Sequence, residues 1–141
     1  MSLSVAIDPG AQAGTALPRR RLRILYADDL PQLRDVAQIS LERDGHVIEC
    51  AADGCEAWKR VQEHADAYDV VITDHHMPNM NGLEFVTKLR ELPYHGAILV
   101  LTSELNPFVA SAYRKLRVDA IIYKPVLPRT LRQLVADHAA A

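Results

Sequence analysis

Apolar runs in this chain repeatedly end on a side chain suited to phosphate chemistry. Arg23-Ile24-Leu25-Tyr26-Ala27 runs into Asp28-Asp29, and Val70-Val71-Ile72-Thr73 runs into Asp74. Ala97-Ile98-Leu99-Val100-Leu101 ends at Thr102, and Ala120-Ile121-Ile122-Tyr123 ends at Lys124. If the acids share one crevice, each pair of carboxylates about 4 Å apart repels by about 4 kcal/mol at an effective dielectric near ~20. Such crowding calls for a raised pKa, neutralisation by Lys124, or a divalent cation. Oxygen donors with room for water suit Mg2+ or a similarly hard cation rather than zinc. The chemistry that fits is phosphoryl transfer. A carboxylate takes up the group as an aspartyl phosphate, while the metal and the ammonium neutralise its oxygens.

These side chains meet only if the elements behind them are arranged correctly. Leu33, Val36, Ala37, Ser40 and Leu41 recur at helical spacing, opened by Pro31 and stopped at Asp44-Gly45. His46–Cys50 reads as a strand, and Asp53 can cap a helix to about Glu63 with Ala57 and Val61 inward. Leu83, Phe85, Val86 and Leu89 predict a helix over Gly82–Glu91. Asn106-Pro107 opens another through about Leu116, and Leu131, Leu134 and Val135 mark a last one over Pro128–His138. Strands alternating with helices predict an α/β fold: a flavodoxin-like, doubly wound, five-stranded parallel sheet with five helices. Period alone does not order the strands; 2-1-3-4-5 is the common solution. In that order the switch point lies beyond the ends of strands one and three, where Asp28, Asp29 and Asp74 fall.

Residues 1–20, rich in Ala, Gly, Ser and Pro, are expected to form a flexible tail ahead of one domain over 21–141. A net charge of −2 gives no electrostatic reason to expect nucleic-acid binding. No apolar run approaches the roughly 18–20 residues needed to cross a bilayer, so no membrane partner and a cytoplasmic location are expected. Cys50 and Cys55 lack zinc-type spacing and read as small, partly buried thiols. His75 and His76 are adjacent, but His46 and His64 read as turn residues, and no zinc site is expected.

Asp28-Asp29, the stretch from Ile72 to Glu84 (ITDHHMPNMNGLE), Val100-Leu101-Thr102-Ser103 and Tyr123-Lys124-Pro125 together resemble the receiver domains of two-component response regulators. The resemblance covers about residues 22–138 and implies a role for each position. Asp74 is the implied phosphoacceptor. Asp28, Asp29, Asp74 and the backbone carbonyl of His76 are the implied Mg2+ ligands, Asp28 largely through water. Lys124 is expected to pair with Asp74 and then contact the phosphoryl group, and Thr102 to hydrogen-bond that group. The Lys124–Pro125 bond is expected to be cis. His76 and Glu104 occupy the positions that flank the attacking water and tune dephosphorylation. With an imidazole at His76, the phosphoryl lifetime is expected to depend on pH. One departure bears on the switch: where the family usually carries Tyr or Phe, this chain has Ile121.

The implied function is a single-domain response regulator receiver, a phosphoacceptor signalling domain that catalyses only its own phosphorylation and dephosphorylation. It would take phosphate from a histidine kinase or histidine phosphotransfer protein and signal by contact with a downstream protein or by relay, as a monomer or weak homodimer. A degenerate receiver acting as an unphosphorylated docking module is the alternative. An aspartate-based phosphohydrolase would need a general acid where His76 stands. A flavodoxin-like cofactor binder would need a phosphate-cradling loop where Asp28-Asp29-Leu30-Pro31 offers repulsion.

Overall fold

The computed structural model describes residues 20–139. Along the chain lie β1 (Arg23–Ala27), α1 (Pro31–Glu42), β2 (Val47–Ala51), α2 (Gly54–His64), a 3-10 turn (Ala65–Ala67) and β3 (Val70–Asp74). There follow α3 (Gly82–Glu91), β4 (Ala97–Thr102), α4 (Pro107–Lys115), β5 (Ala120–Tyr123) and α5 (Pro128–Ala139). All strand pairs are parallel and the order is β2-β1-β3-β4-β5, the flavodoxin-like arrangement expected.

Alternate side chains of the central strands serve opposite faces, as the pleat requires. Leu25, Val71, Ile98 and Val100 pack with Ala57, Val61, Phe85, Leu89 and Tyr113 from α2, α3 and α4. Ile24, Val70, Ile72, Leu99 and Leu101 pack with Ala37 and Leu41 of α1 and Leu131 and Val135 of α5. At about 1.5–3 kcal/mol for each large apolar side chain buried, both helical layers are held by the same strands. Continuous apolar runs, rather than alternating ones, are the sequence signature of that double burial.

Local signals set the helix starts. Pro31 stands in the first turn of α1, and Asn81 and Glu84 form a reciprocal capping box at α3. Asp53 accepts from the Glu56 amide at 2.8 Å and from Asn79 Nδ2 at 2.7 Å. It thereby caps α2 and ties it to the β3–α3 loop. Asp53→Ala is expected to lower stability by about 1–2 kcal/mol, read as a shifted urea midpoint at unchanged slope.

Several expectations need correction. Val36 is 45% exposed, because α1 turns a narrower stripe to the sheet than its apolar spacing suggested. His46 is no turn residue: it is buried, and its Nδ1 accepts from the Leu22 amide at 3.1 Å, an N–H that would otherwise lack a partner just ahead of β1. Cys55 is exposed, while Cys50 is half-buried. The tail expected over residues 1–20 lies outside the described residues except for Arg20, which pairs with Asp69 at 2.6 Å. Among the described residues, no helix is long and apolar enough to cross a membrane.

Candidate functional site

The register of the sheet builds the site. Ala27 lies opposite Thr73, so Asp28 and Asp74 come at the ends of adjacent strands. Oxygens of Asp28, Asp29 and Asp74 lie within 4.8 Å of one another. Asp28 and Asp74 are buried and Asp29 is exposed, so the cluster opens to solvent on one side.

Each buried carboxylate is held. Asp28 accepts from the Leu30 amide at 3.0 Å, and the Tyr26 hydroxyl lies 3.4 Å from its other oxygen. Asp74 Oδ1 accepts from the His75 amide at 2.8 Å. Lys124 reaches across from β5, its amide bonded to the Thr102 carbonyl at 2.8 Å. Its Nζ lies 3.0 Å from Asp28 Oδ2 and 3.2 Å from Asp74 Oδ2. The Lys124–Pro125 bond is cis.

Burial and neighbouring charge act together on this pair. Burial pushes the Asp74 carboxyl above its usual range; Lys124 opposes the rise and Asp28 adds to it. Burial pulls the Lys124 ammonium down, yet its hydrogen bond to Asp28 and the charges of Asp28 and Asp74 hold it above its ordinary value. Burial and the neighbouring Asp28 together outweigh the one ammonium at Asp74, while the two acids outweigh burial at Lys124. The three carboxylates offer hard oxygen donors only, a set that fits a Mg2+-like cation.

Thr102 is buried beside this group, and its Oγ1 accepts from the Glu104 amide at 2.8 Å. Glu104 Oε2 in turn accepts from the Asn106 amide at 2.9 Å, and Oε1 lies 3.0 Å from His76 Nε2. The Asn106 amide, together with His76, holds the Glu104 carboxyl below its usual range. The two positions expected to flank the site therefore face each other. Ile121 is half-buried against the cluster that contains Val100 and Tyr113, whereas Tyr123 is 46% exposed.

His75, adjacent to His76 in the sequence, has a partner that spacing does not show. It is buried, and its Nδ1 lies 2.7 Å from the Tyr113 hydroxyl on α4. Burial lowers its imidazole pKa, and His76 lowers it further. A polar side chain directly after a fully buried strand was the available signal; its partner on α4 was not readable from spacing.

A parallel α/β sheet here gathers an acidic cluster, a hydroxyl and an ammonium at its carboxyl edge, where open sheets of this kind bind ligands. The chain belongs to the response regulator receiver domain family, which matches residues 24–136. It is 36% identical over 120 residues to a chemotaxis protein CheY homolog of Campylobacter jejuni, covering 82% of this chain and 91% of that one. It is also 36% identical over 126 residues to the sensory/regulatory protein RpfC of Xanthomonas campestris, covering 86% of this chain but spanning only 17% of that protein. Among solved structures, CheY4 of Vibrio cholerae superposes with a TM-score of 0.74 at 31% identity, covering 82% of this chain and 97% of that one. A CheY-like receiver domain protein from Methanospirillum hungatei gives a TM-score of 0.81 at 25% identity, covering 86% and 95%. Receiver domains are signalling domains of two-component systems whose general function is to accept a phosphoryl group. They generally bind Mg2+ through acidic residues and interact with histidine kinases and downstream targets.

Proposed function

We infer that Asp74 is the phosphoacceptor of a response regulator fed by a histidine kinase or a histidine phosphotransfer protein. The observation that carries this is the setting of Asp74: Lys124 Nζ at 3.2 Å, with oxygens of Asp28 and Asp29 within 4.8 Å. A carboxylate oxygen of Asp74 attacks phosphorus, the P–N bond to the donor imidazole breaks, and the imidazole leaves with the bonding pair. Asp28, Asp29, Asp74 and the His76 carbonyl would hold Mg2+, which when bound supplies positive charge to the phosphoryl oxygens. Lys124 holds Asp74 in place beforehand and turns to a phosphoryl oxygen afterwards. Thr102 donates its hydroxyl proton to the same group, its oxygen being free to go on accepting from the Glu104 amide.

Residues 21–141 act as one domain in this reading, in the cytoplasm, with protein contact or relay as output. Leu105, Phe108 and Tyr123 are 77%, 82% and 46% exposed, an apolar offering to a downstream protein from the start of α4 and the end of β5. The direct test is incubation with acetyl phosphate and Mg2+, then borohydride reduction and peptide mapping. A single labile phosphoryl group on the peptide containing Asp74 is expected. Modification at another acid, or none at all, would sink the reading; the second result would favour the unphosphorylated docking module, to which Ile121 already lends some support.

A further inference from the structure

We propose that His75, His76 and Glu104 form a second metal site, an imidazole–imidazole–carboxylate site for a zinc-class transition metal. It lies beside the oxygen-only cluster and is chemically unlike it. One ligand atom from each of the three residues lies within 4.8 Å of the others. The histidine rings stand edge-to-face with centroids 4.8 Å apart, and His76 Nε2 already lies 3.0 Å from Glu104 Oε1. Only the His75 ring needs to complete the set.

His75 is oriented for that task by a contact the phosphoryl chemistry does not use. Its Nδ1 is engaged by the Tyr113 hydroxyl at 2.7 Å, and Tyr113 is fully buried. That leaves Nε2 as the nitrogen for a metal, with Nδ1–H donating to the tyrosine oxygen. Fixing the second ring nitrogen in this way sets the tautomer and orientation of metal-bound histidines generally. The donor set decides the ion. Two imidazoles and one carboxylate suit Zn2+, Co2+, Ni2+ or Cu2+, whereas Mg2+ prefers oxygen alone. Three protein ligands leave a position for water, and the exposed His76 ring keeps that side open to solvent. Glu104 arrives from the β4–α4 loop, across the site from the two histidines.

The site goes beyond the phosphoacceptor reading, and its test does not depend on it. The full chain is titrated with Co2+ in the presence of saturating Mg2+, following visible absorption, and Zn2+ is then used to displace the Co2+. One equivalent with imidazole-type absorption, displaced by one equivalent of Zn2+, is expected. His76→Gln and Glu104→Gln change exposed or partly exposed side chains and should each weaken binding by at least about 100-fold. Tyr113→Phe, which removes only the positioning contact, should weaken it by about 10-fold. Absence of the absorption overturns the proposal, as does unchanged affinity in His76→Gln and Glu104→Gln, which would move the ion to other histidines or to the acidic cluster.

Discussion

An Asp74→Asn variant is expected to take up no phosphoryl group from acetyl phosphate and yet to unfold at a higher temperature than the parent chain. The amide is isosteric with the carboxylate and keeps an oxygen to accept from the His75 amide, so the loop after β3 is retained. It lacks the nucleophilic oxygen pair, so uptake falls to background by mass spectrometry. The stability gain follows from the charge state. Burial, with Asp28 adding to it, raises the folded-state pKa of Asp74 against the opposing pull of Lys124. A carboxyl raised on folding binds more protons folded than unfolded. Its cost is therefore absent below the unfolded pKa, grows as pH rises between the two values, and is complete above the folded one. At neutral pH without divalent metal, the substitution removes that cost and should stabilise the chain by about 1 kcal/mol, a common size for relief at a functional site. The advantage should shrink as pH is lowered through the carboxyl range. It should shrink also on adding Mg2+, since a cation that binds the folded parent stabilises it by mass action. A variant less stable than the parent at neutral pH without metal would contradict the account.

The second large effect is expected at Gly82. Its φ is not unusual; the constraint is close approach. A Cβ built there would lie 2.2 Å from the Asp74 carbonyl oxygen, 2.7 Å from the Tyr113 hydroxyl and 3.0 Å from His75 Cα. Two of these neighbours are backbone and cannot swing aside. The start of α3 would have to shift away from β3, breaking the 2.8 Å bond from the Gly82 amide to the His75 carbonyl. Gly82→Ala should cost about 3 kcal/mol, at the upper end for inserting one methyl into packed structure. Chemical denaturation measures this directly. The residual folded fraction should also accept phosphate more slowly, because the displaced loop carries His75 and His76. A loss below about 0.5 kcal/mol, the range of ordinary surface changes, would show that α3 is not held so tightly.

The fold was legible because its strands carry unbroken apolar runs and its helices carry conventional starts. Asp28, Asp29, Asp74, Thr102 and Lys124 were legible for the same reason: each follows a strand, and a parallel sheet collects strand ends on one edge. His76 and Glu104 were legible as flanking one site only through the family resemblance. The partnership of His75 with Tyr113 stayed hidden, because it joins segments whose relative placement no period encodes. His46 was misread because its role, accepting the Leu22 amide, depends on a neighbour brought in by β-sheet pairing. Val36 was misread because apolar spacing marks a helix face without saying how wide a stripe the sheet will cover.

The loops flanking Asp74 differ in how they are fastened. On the α2 side, Asn79 is tied to Asp53, the Met80 carbonyl takes the Gly54 amide, and Gly82 is tied back to His75. On the β4–α4 side, Glu104 bonds to Thr102 and Asn106 to Glu104, links within one short loop, with His76 reaching in from across the site. One wall is riveted to a neighbouring helix; the other is a folded strip closed mainly on itself. A load applied at Asp74 meets an abutment on the first side and a spring on the second, so the give around the site is concentrated in the loop between β4 and α4.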